Sequence, residues 1–127
     1  MLDTFPLIAF AATVDGERAC QFYRRVLGLT LVSEDEYAIV FCANGLELRL
    51  QKVQRLDPRP HTVLGWSVTG IHEVVGDLQA RGVVFERYGF LDQDGAGVWT
   101  APSGARVAWF NDPDGNVLSL TEAADSK

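Results

Sequence analysis

Residues 107–120 read VAWFNDPDGNVLSL. Two apolar runs, 107–110 and 117–120, enclose Asn111, Asp112, Pro113, Asp114, Gly115 and Asn116, a cluster of turn formers. Proline presets one φ angle, glycine accepts a positive one, and Asx side chains bond to nearby backbone. The chain is therefore made to reverse here, and the flanking runs are expected to pair as a β-hairpin. Taken alone, such a hairpin is no more than a surface turn between two core strands.

Working outward, residues 98–101 read as a short strand, 89–97 as an excursion rich in Gly and Asp, and 83–88 as a strand. Before them lies a helix with Ile71, Val74, Val75 and Leu78 on its apolar face, Thr69 as a candidate cap and Gly82 as its stop; residues 62–68 form the strand that feeds it. The same order occurs earlier in the chain. Residues 4–13 form an apolar strand, and Asp15 caps a helix that places Ala19, Phe22, Tyr23, Val26 and Leu27 on one face and stops at Gly28. Strands at 29–33, 37–42 and 46–53 follow, the last with Leu46, Leu48 and Leu50 alternating against Glu47, Arg49 and Gln51. Landmarks align as well: Leu27, Gly28 and Leu29 correspond to Arg81, Gly82 and Val83, and Gly45 before Leu46 to Gly115 before Asn116. The expected fold class is α+β. Two βαβββ modules, 1–54 and 62–127, joined by a linker at 55–61, make one structural domain with helices on the outer faces and a mixed sheet curved around a shared cavity.

Composition limits the function. A chain of 127 residues, 47% hydrophobic, buries a core without disulfide staples. Cys20 and Cys42 lack CxxC spacing and read as free, buried thiols. No secretory leader is visible, and no apolar run approaches the roughly 18 residues that span a bilayer, so a cytoplasmic location is expected. The net charge is −6, and no basic cluster is denser than Arg24 and Arg25. That balance argues against nucleic acid or an anionic membrane as partner and favours neutral or cationic ligands. There is no GxSxG elbow, no phosphate loop and no Cys paired with a nearby His.

The motifs FYRRVLGL (22–29) and FNDPDGNVLSL (110–120), together with the module order, resemble the vicinal oxygen chelate superfamily. That superfamily includes glyoxalase I, extradiol dioxygenases and the fosfomycin and bleomycin resistance proteins. The resemblance implies the fold. For the family's enzymes it also implies a divalent metal held by His, Gln or Glu from the first and last strands of each module. Carried across, those positions fall at Ile8 (Leu7 if the register slips), Arg49, Val63 and Ser119. A divalent cation needs converging imidazoles or carboxylates, whereas two of these residues are aliphatic, one is a hydroxyl and one a permanent cation. No metal site of the family type and no cofactor is expected. His61, two residues before Val63, and Glu47 could make an incomplete one-pair site, or His61 simply sits at the exposed mouth of its strand. His72, beside Glu73 in a first helical turn, is expected to face solvent.

The implied cavity is lined by Ile8, Phe10 and Ala12, by Glu47, Arg49 and Gln51, by Val63, Gly65 and Ser67, and by Val117, Ser119 and Thr121. Trp66, Trp99, Trp109, Tyr88 and Phe90 are either core or stacking walls, and residues 89–104 make a lid or rim. Arg49 and Glu47 either satisfy each other or leave Arg49 as a bidentate donor to a ligand carboxylate or phosphate. The function implied is that of a glyoxalase- or bleomycin-resistance-like protein that binds a small organic molecule without metal. The alternatives are a metal-dependent lyase or dioxygenase with non-standard ligands, and an enzyme that works without metal through a group such as Glu47. A homodimer is expected, its cavity completed within one chain or by exchange of modules between chains.

Overall fold

The structure is a computed structural model that describes residues 1–125. The chain forms two compact units, Met1–Pro58 and a second beginning at Arg59. In the first, β1 (Ile8–Thr13) is followed by α1 (Gly16–Gln21), which continues as a π-helical turn (Phe22–Val26). Strands β2 (Thr30–Glu34), β3 (Ala38–Ala43) and β4 (Leu46–Lys52) complete a sheet of order β1-β4-β3-β2. β1 runs parallel to β4, and the other pairings are antiparallel.

Local chemistry explains these elements. Asp15 caps α1 by accepting from the Arg18 amide at 3.2 Å, as its residue type predicts. The helix buries Ala19 and Tyr23, with the Tyr23 ring 5.8 Å from Phe41 of the sheet. Tyr23, Ile39, Phe41 and Leu50 are fully buried, and each such side chain contributes about 1.5–3 kcal/mol of transfer free energy. In β4, Leu48 and Leu50 are buried while Arg49 is half-buried and Gln51 exposed, the expected alternation. Asn44 (φ 50°) and Gly45 (φ 82°) join β3 to β4, both in the left-handed region that a two-residue hairpin of this hand requires. The strand expected from residue 4 begins only at Ile8. Leu2–Thr4 is instead a 3₁₀ turn, and Pro6 just after it has no amide to give a ladder.

The second unit repeats the topology. Its elements are β5 (Thr62–Ser67), α2 (Ile71–Ala80), β6 (Trp99–Thr100), β7 (Arg106–Asn111) and β8 (Val117–Glu122), in the order β5-β8-β7-β6 with β5 parallel to β8. α2 buries Ile71, Val75 and Leu78. The hairpin holds as expected: Phe110 pairs with Leu118 and Trp109 with Ser119. Its turn is organised from inside by Asp112, which is buried and accepts from the amides of Asp114 and Asn116 and from Asn116 Nδ2, each at 2.9 Å. Gly115, at φ 90°, takes the one backbone conformation there that a side chain resists.

Two expectations fail in this unit. Thr69 does not cap α2. Gly70 occupies the cap in a left-handed conformation, and the Glu122 carboxylate, from the last strand, accepts from the Gly70 amide at 2.9 Å and the Ile71 amide at 3.2 Å. Residues 83–88 do not form a strand either. To β7 they make a single bridge, Phe85 to Phe110, and a backbone hydrogen bond from the Glu86 amide to the Trp109 carbonyl at 2.8 Å. The two-residue β6 takes the place in the sheet next to β7.

Candidate ligand-binding site

The residues expected to share one site fall into two groups, one in each unit. In the first unit, register places Ile8 beside Glu47, Phe10 beside Arg49 and Ala12 beside Gln51, so all six share one sheet face. Ile8 and Phe10 are 42% and 50% exposed, so this face carries apolar surface open to solvent. Arg49 Nε donates to Glu47 Oε2 at 2.5 Å, with both side chains partly exposed. The guanidinium is therefore engaged within its own strand, and a partly exposed pair of this kind contributes about 0.2–1 kcal/mol.

In the second unit the face opposite α2's core carries Ser67, Thr121, Val107 and Trp99 in one cross-strand row, and Gly65, Ser119 and Trp109 in the next. One element of register was not legible in the sequence. A bulge between Thr62 and Leu64 pairs Thr62, rather than Val63, with Val117. Because side chains alternate, that single extra residue takes Val63 out of the row it was expected to occupy and puts Thr62 there. Ser119 is buried, and Gly65 approaches it so closely that a Cβ at residue 65 would lie 2.8 Å from Ser119 Oγ. Ser119 is thus packed against the neighbouring strand.

A pocket of about 360 Å³ opens on this face. Thr62, Val117, Trp109 and Trp99 come from the strands, Tyr88, Phe90 and Leu91 from the segment after α2, and Pro60 and His61 from the approach to β5. Four rings dominate it: Tyr88 lies edge-on to Trp109 at 5.5 Å, Trp99 is tilted against Trp109 at 6.1 Å, and Tyr88 and Phe90 are 5.9 Å apart. Of the expected site residues, Trp99 lines this pocket, while Val63, Ser67 and Ser119 do not. The aromatic character and Val117 were visible in the sequence; Thr62 was hidden by the bulge.

The lining contains no carboxylate, ammonium or guanidinium. Burial pushes the Tyr88 phenol above its ordinary value, and the nearby negative charge of Glu86 adds to the shift. At neutral pH Tyr88 therefore presents a neutral hydroxyl. Phe90 is 84% exposed, an unusual state for a phenylalanine whose ring borders a cavity. The surface is suited to stacking a flat apolar or aromatic group, with hydroxyl and imidazole groups available to orient it.

The donor set at the family's metal positions does not fit a divalent cation. Ile8 and Val63 carry no donor atom, Ser119 offers a neutral hydroxyl, and Arg49 is a cation already paired with Glu47. Among the described residues, no group of three or more His, Cys, Asp or Glu side chains is placed to hold a metal ion. His72 is exposed, as expected, and it has a partner there. Its Nε2 lies 2.7 Å from Asp94 Oδ2, which helps hold the Asp94 carboxyl below its usual range. Also among the described residues, no helix is long and apolar enough to cross a membrane.

Comparison with solved structures finds the same architecture across nearly the whole chain. The bleomycin resistance determinant encoded on transposon Tn5 superposes with a TM-score of 0.74 at 20% identity, over 94% of this chain and 98% of that one. A glyoxalase/bleomycin resistance protein/dioxygenase from Alicyclobacillus acidocaldarius gives 0.71 at 18% identity, over 96% and 93%. The lactoylglutathione lyase of Agrobacterium tumefaciens gives 0.69 at 20% identity, over 91% and 92%. At these identities the likeness concerns the fold. No curated protein sequence gives a significant match. The family profile for the Glyoxalase/Bleomycin resistance protein/Dioxygenase superfamily matches residues 7–120, and with both its topology and its hairpin motif in agreement the chain belongs to that superfamily.

Proposed function

We propose that this protein binds a small organic molecule through a flat apolar or aromatic group seated in the second unit's pocket, without a metal. The observation that carries the reading is the grouping of Tyr88, Phe90, Trp99 and Trp109 around a cavity whose lining contains no carboxylate, ammonium or guanidinium. Stacking on such rings gains affinity from desolvation and from the ring quadrupoles, and it needs no metal to polarise the ligand. The substituted metal positions Ile8, Arg49, Val63 and Ser119 support binding over the lyase and dioxygenase chemistry found elsewhere in the superfamily. Homodimerisation and a cytoplasmic location belong to the same reading. Exposed Phe5, Leu7, Ile8 and Phe10 supply apolar surface of the kind a subunit interface covers.

The test is calorimetric titration with a panel of flat aromatic and cationic antibiotics, using wild type and Trp99→Ala. At least one compound is expected to bind the wild type and to lose roughly tenfold or more with Trp99→Ala, the scale of one lost aromatic contact. Equal affinity for both proteins sinks the proposal. Metal analysis of the same purified sample provides the second arm: stoichiometric metal whose removal abolishes an activity would favour a lyase or dioxygenase instead.

A further inference from the structure

The segment between α2 and β6 carries half of the pocket's aromatic rings, Tyr88 and Phe90, yet it has no strand or helix of its own. Without a ladder, its position depends on the side chains that replace one. Gln93 does most of this. Its Oε1 accepts from the Tyr88 amide at 2.7 Å, and its Nε2 donates to the Glu86 carbonyl at 3.0 Å and to the Gly97 carbonyl at 2.8 Å. One planar amide thereby ties residues 86 and 88, on the outgoing arm of the segment, to residue 97 on the returning arm. Trp99 follows two residues after Gly97 and bridges back to Gln93. The two arms also lie side by side: a Cβ at Gly97 would meet Phe85 Cβ at 3.4 Å, ordinary van der Waals contact.

We propose that Gln93 is a positioning residue that sets the gap between the Tyr88–Phe90 wall and Trp99, and so determines the size of flat ligand the pocket accepts. The inference rests on the reading of this pocket as the ligand site. The amide touches no lining ring by a polar contact and acts through the backbone on either side of it. Asp94 braces the same segment at a different point. Its Oδ1 accepts from the Ala96 and Val98 amides at 2.9 and 3.0 Å, which shapes the turn but does not link the two arms at Tyr88. Selectivity therefore tracks Gln93, whose amide oxygen is the acceptor of the Tyr88 amide among the described residues.

The experiment uses the full chain with Trp66→Phe, so that emission comes from Trp99 and Trp109. Quinoline and acridine at pH 8 serve as neutral two-ring and three-ring probes. Gln93→Ala is expected to weaken quinoline roughly tenfold and acridine by less than about threefold, because relaxing three hydrogen bonds widens the gap and costs the smaller ring its second contact. In the absence of probe, acrylamide quenching of the two tryptophans should rise by about twofold as the wall relaxes. Gln93→Glu keeps the acceptor for Tyr88 but has no donor for the two carbonyls, so it should shift both readouts the same way; it is isosteric and guards against a folding defect in Gln93→Ala. An unchanged probe ratio in both variants overturns the proposal. If neither probe binds the wild type, the ligand-site reading falls for this class, and quenching alone decides: unchanged quenching in both variants then overturns the positioning role as well.

Discussion

Asp112 is the residue on which the hairpin's geometry depends, and replacing it provides a quantitative test. The carboxylate is buried and accepts three hydrogen bonds of 2.9 Å, two from Asn116, which is itself buried, and one from the half-buried Asp114 amide. Asp112→Ala removes every one of these acceptors. Stranding a buried donor costs about 1–3 kcal/mol, and a donor that can rehydrate costs near the low end of that range. Two stranded donors and one rehydrated donor give a loss of about 3–7 kcal/mol, a large part of the roughly 5–15 kcal/mol total stability of a typical domain. Asp112→Asn keeps an oxygen for the two amides but turns an NH2 toward Asn116 Nδ2, and about 1–3 kcal/mol is expected. The assay is urea unfolding followed by tryptophan emission. Trp66, Trp99 and Trp109 are the chain's three tryptophans and all lie in the second unit, so the signal reports the perturbed half. The midpoint should fall without a change in slope, since the surface exposed on unfolding is unaltered. A loss below about 1 kcal/mol for Asp112→Ala would refute the claim that this buried carboxylate organises the turn.

Two further perturbations test other parts of the second unit. Gly65→Ala would place a methyl 2.8 Å from Ser119 Oγ and is expected to cost about 1–3 kcal/mol, with most of it recovered when Ser119→Ala is added; a neutral Gly65→Ala would show that the two strands do not approach as described. The Glu122 carboxyl is held below its ordinary value chiefly by the Gly70 and Ile71 amides, with Arg106 and His72 adding to the effect and burial opposing it. A depressed folded-state value means the contribution is fully present above the unfolded carboxyl's value and is lost as pH falls through the folded one. Glu122→Gln should therefore be less stable at neutral pH and show a shallower acid-side decline in its urea midpoint, and curves that decline in parallel would contradict the assignment.

How much of this was legible follows from the range of the interactions involved. Asp15 could be identified as a cap because it acts three residues away, and Gly28 as a helix stop because the requirement is its own φ of 78°. The cap of α2 could not be identified, because Glu122 reaches it across 52 positions, and a plausible local candidate, Thr69, stood next to it. Residues 83–88 have strand composition, but Gln93 ties the Tyr88 amide and the Glu86 carbonyl to a side chain, so the ladder they suggested does not form. The aromatic pocket was half visible: Tyr88, Phe90, Trp99 and Trp109 are conspicuous in the chain, yet nothing local says whether they stack into a core or line a cavity.

The sequence by itself determined the duplicated strand and helix order, the alternation of β4 and the turn at 111–116, because each depends on residue type and short spacing; the replacement of the family's metal ligands followed from the resemblance that places them. Only the tertiary structure decided which side chains meet on the second unit's open face. One extra residue in β5 exchanges Thr62 for Val63, and a bulge of that kind is selected by the fit between parallel strands more than 50 residues apart, which no local pattern encodes.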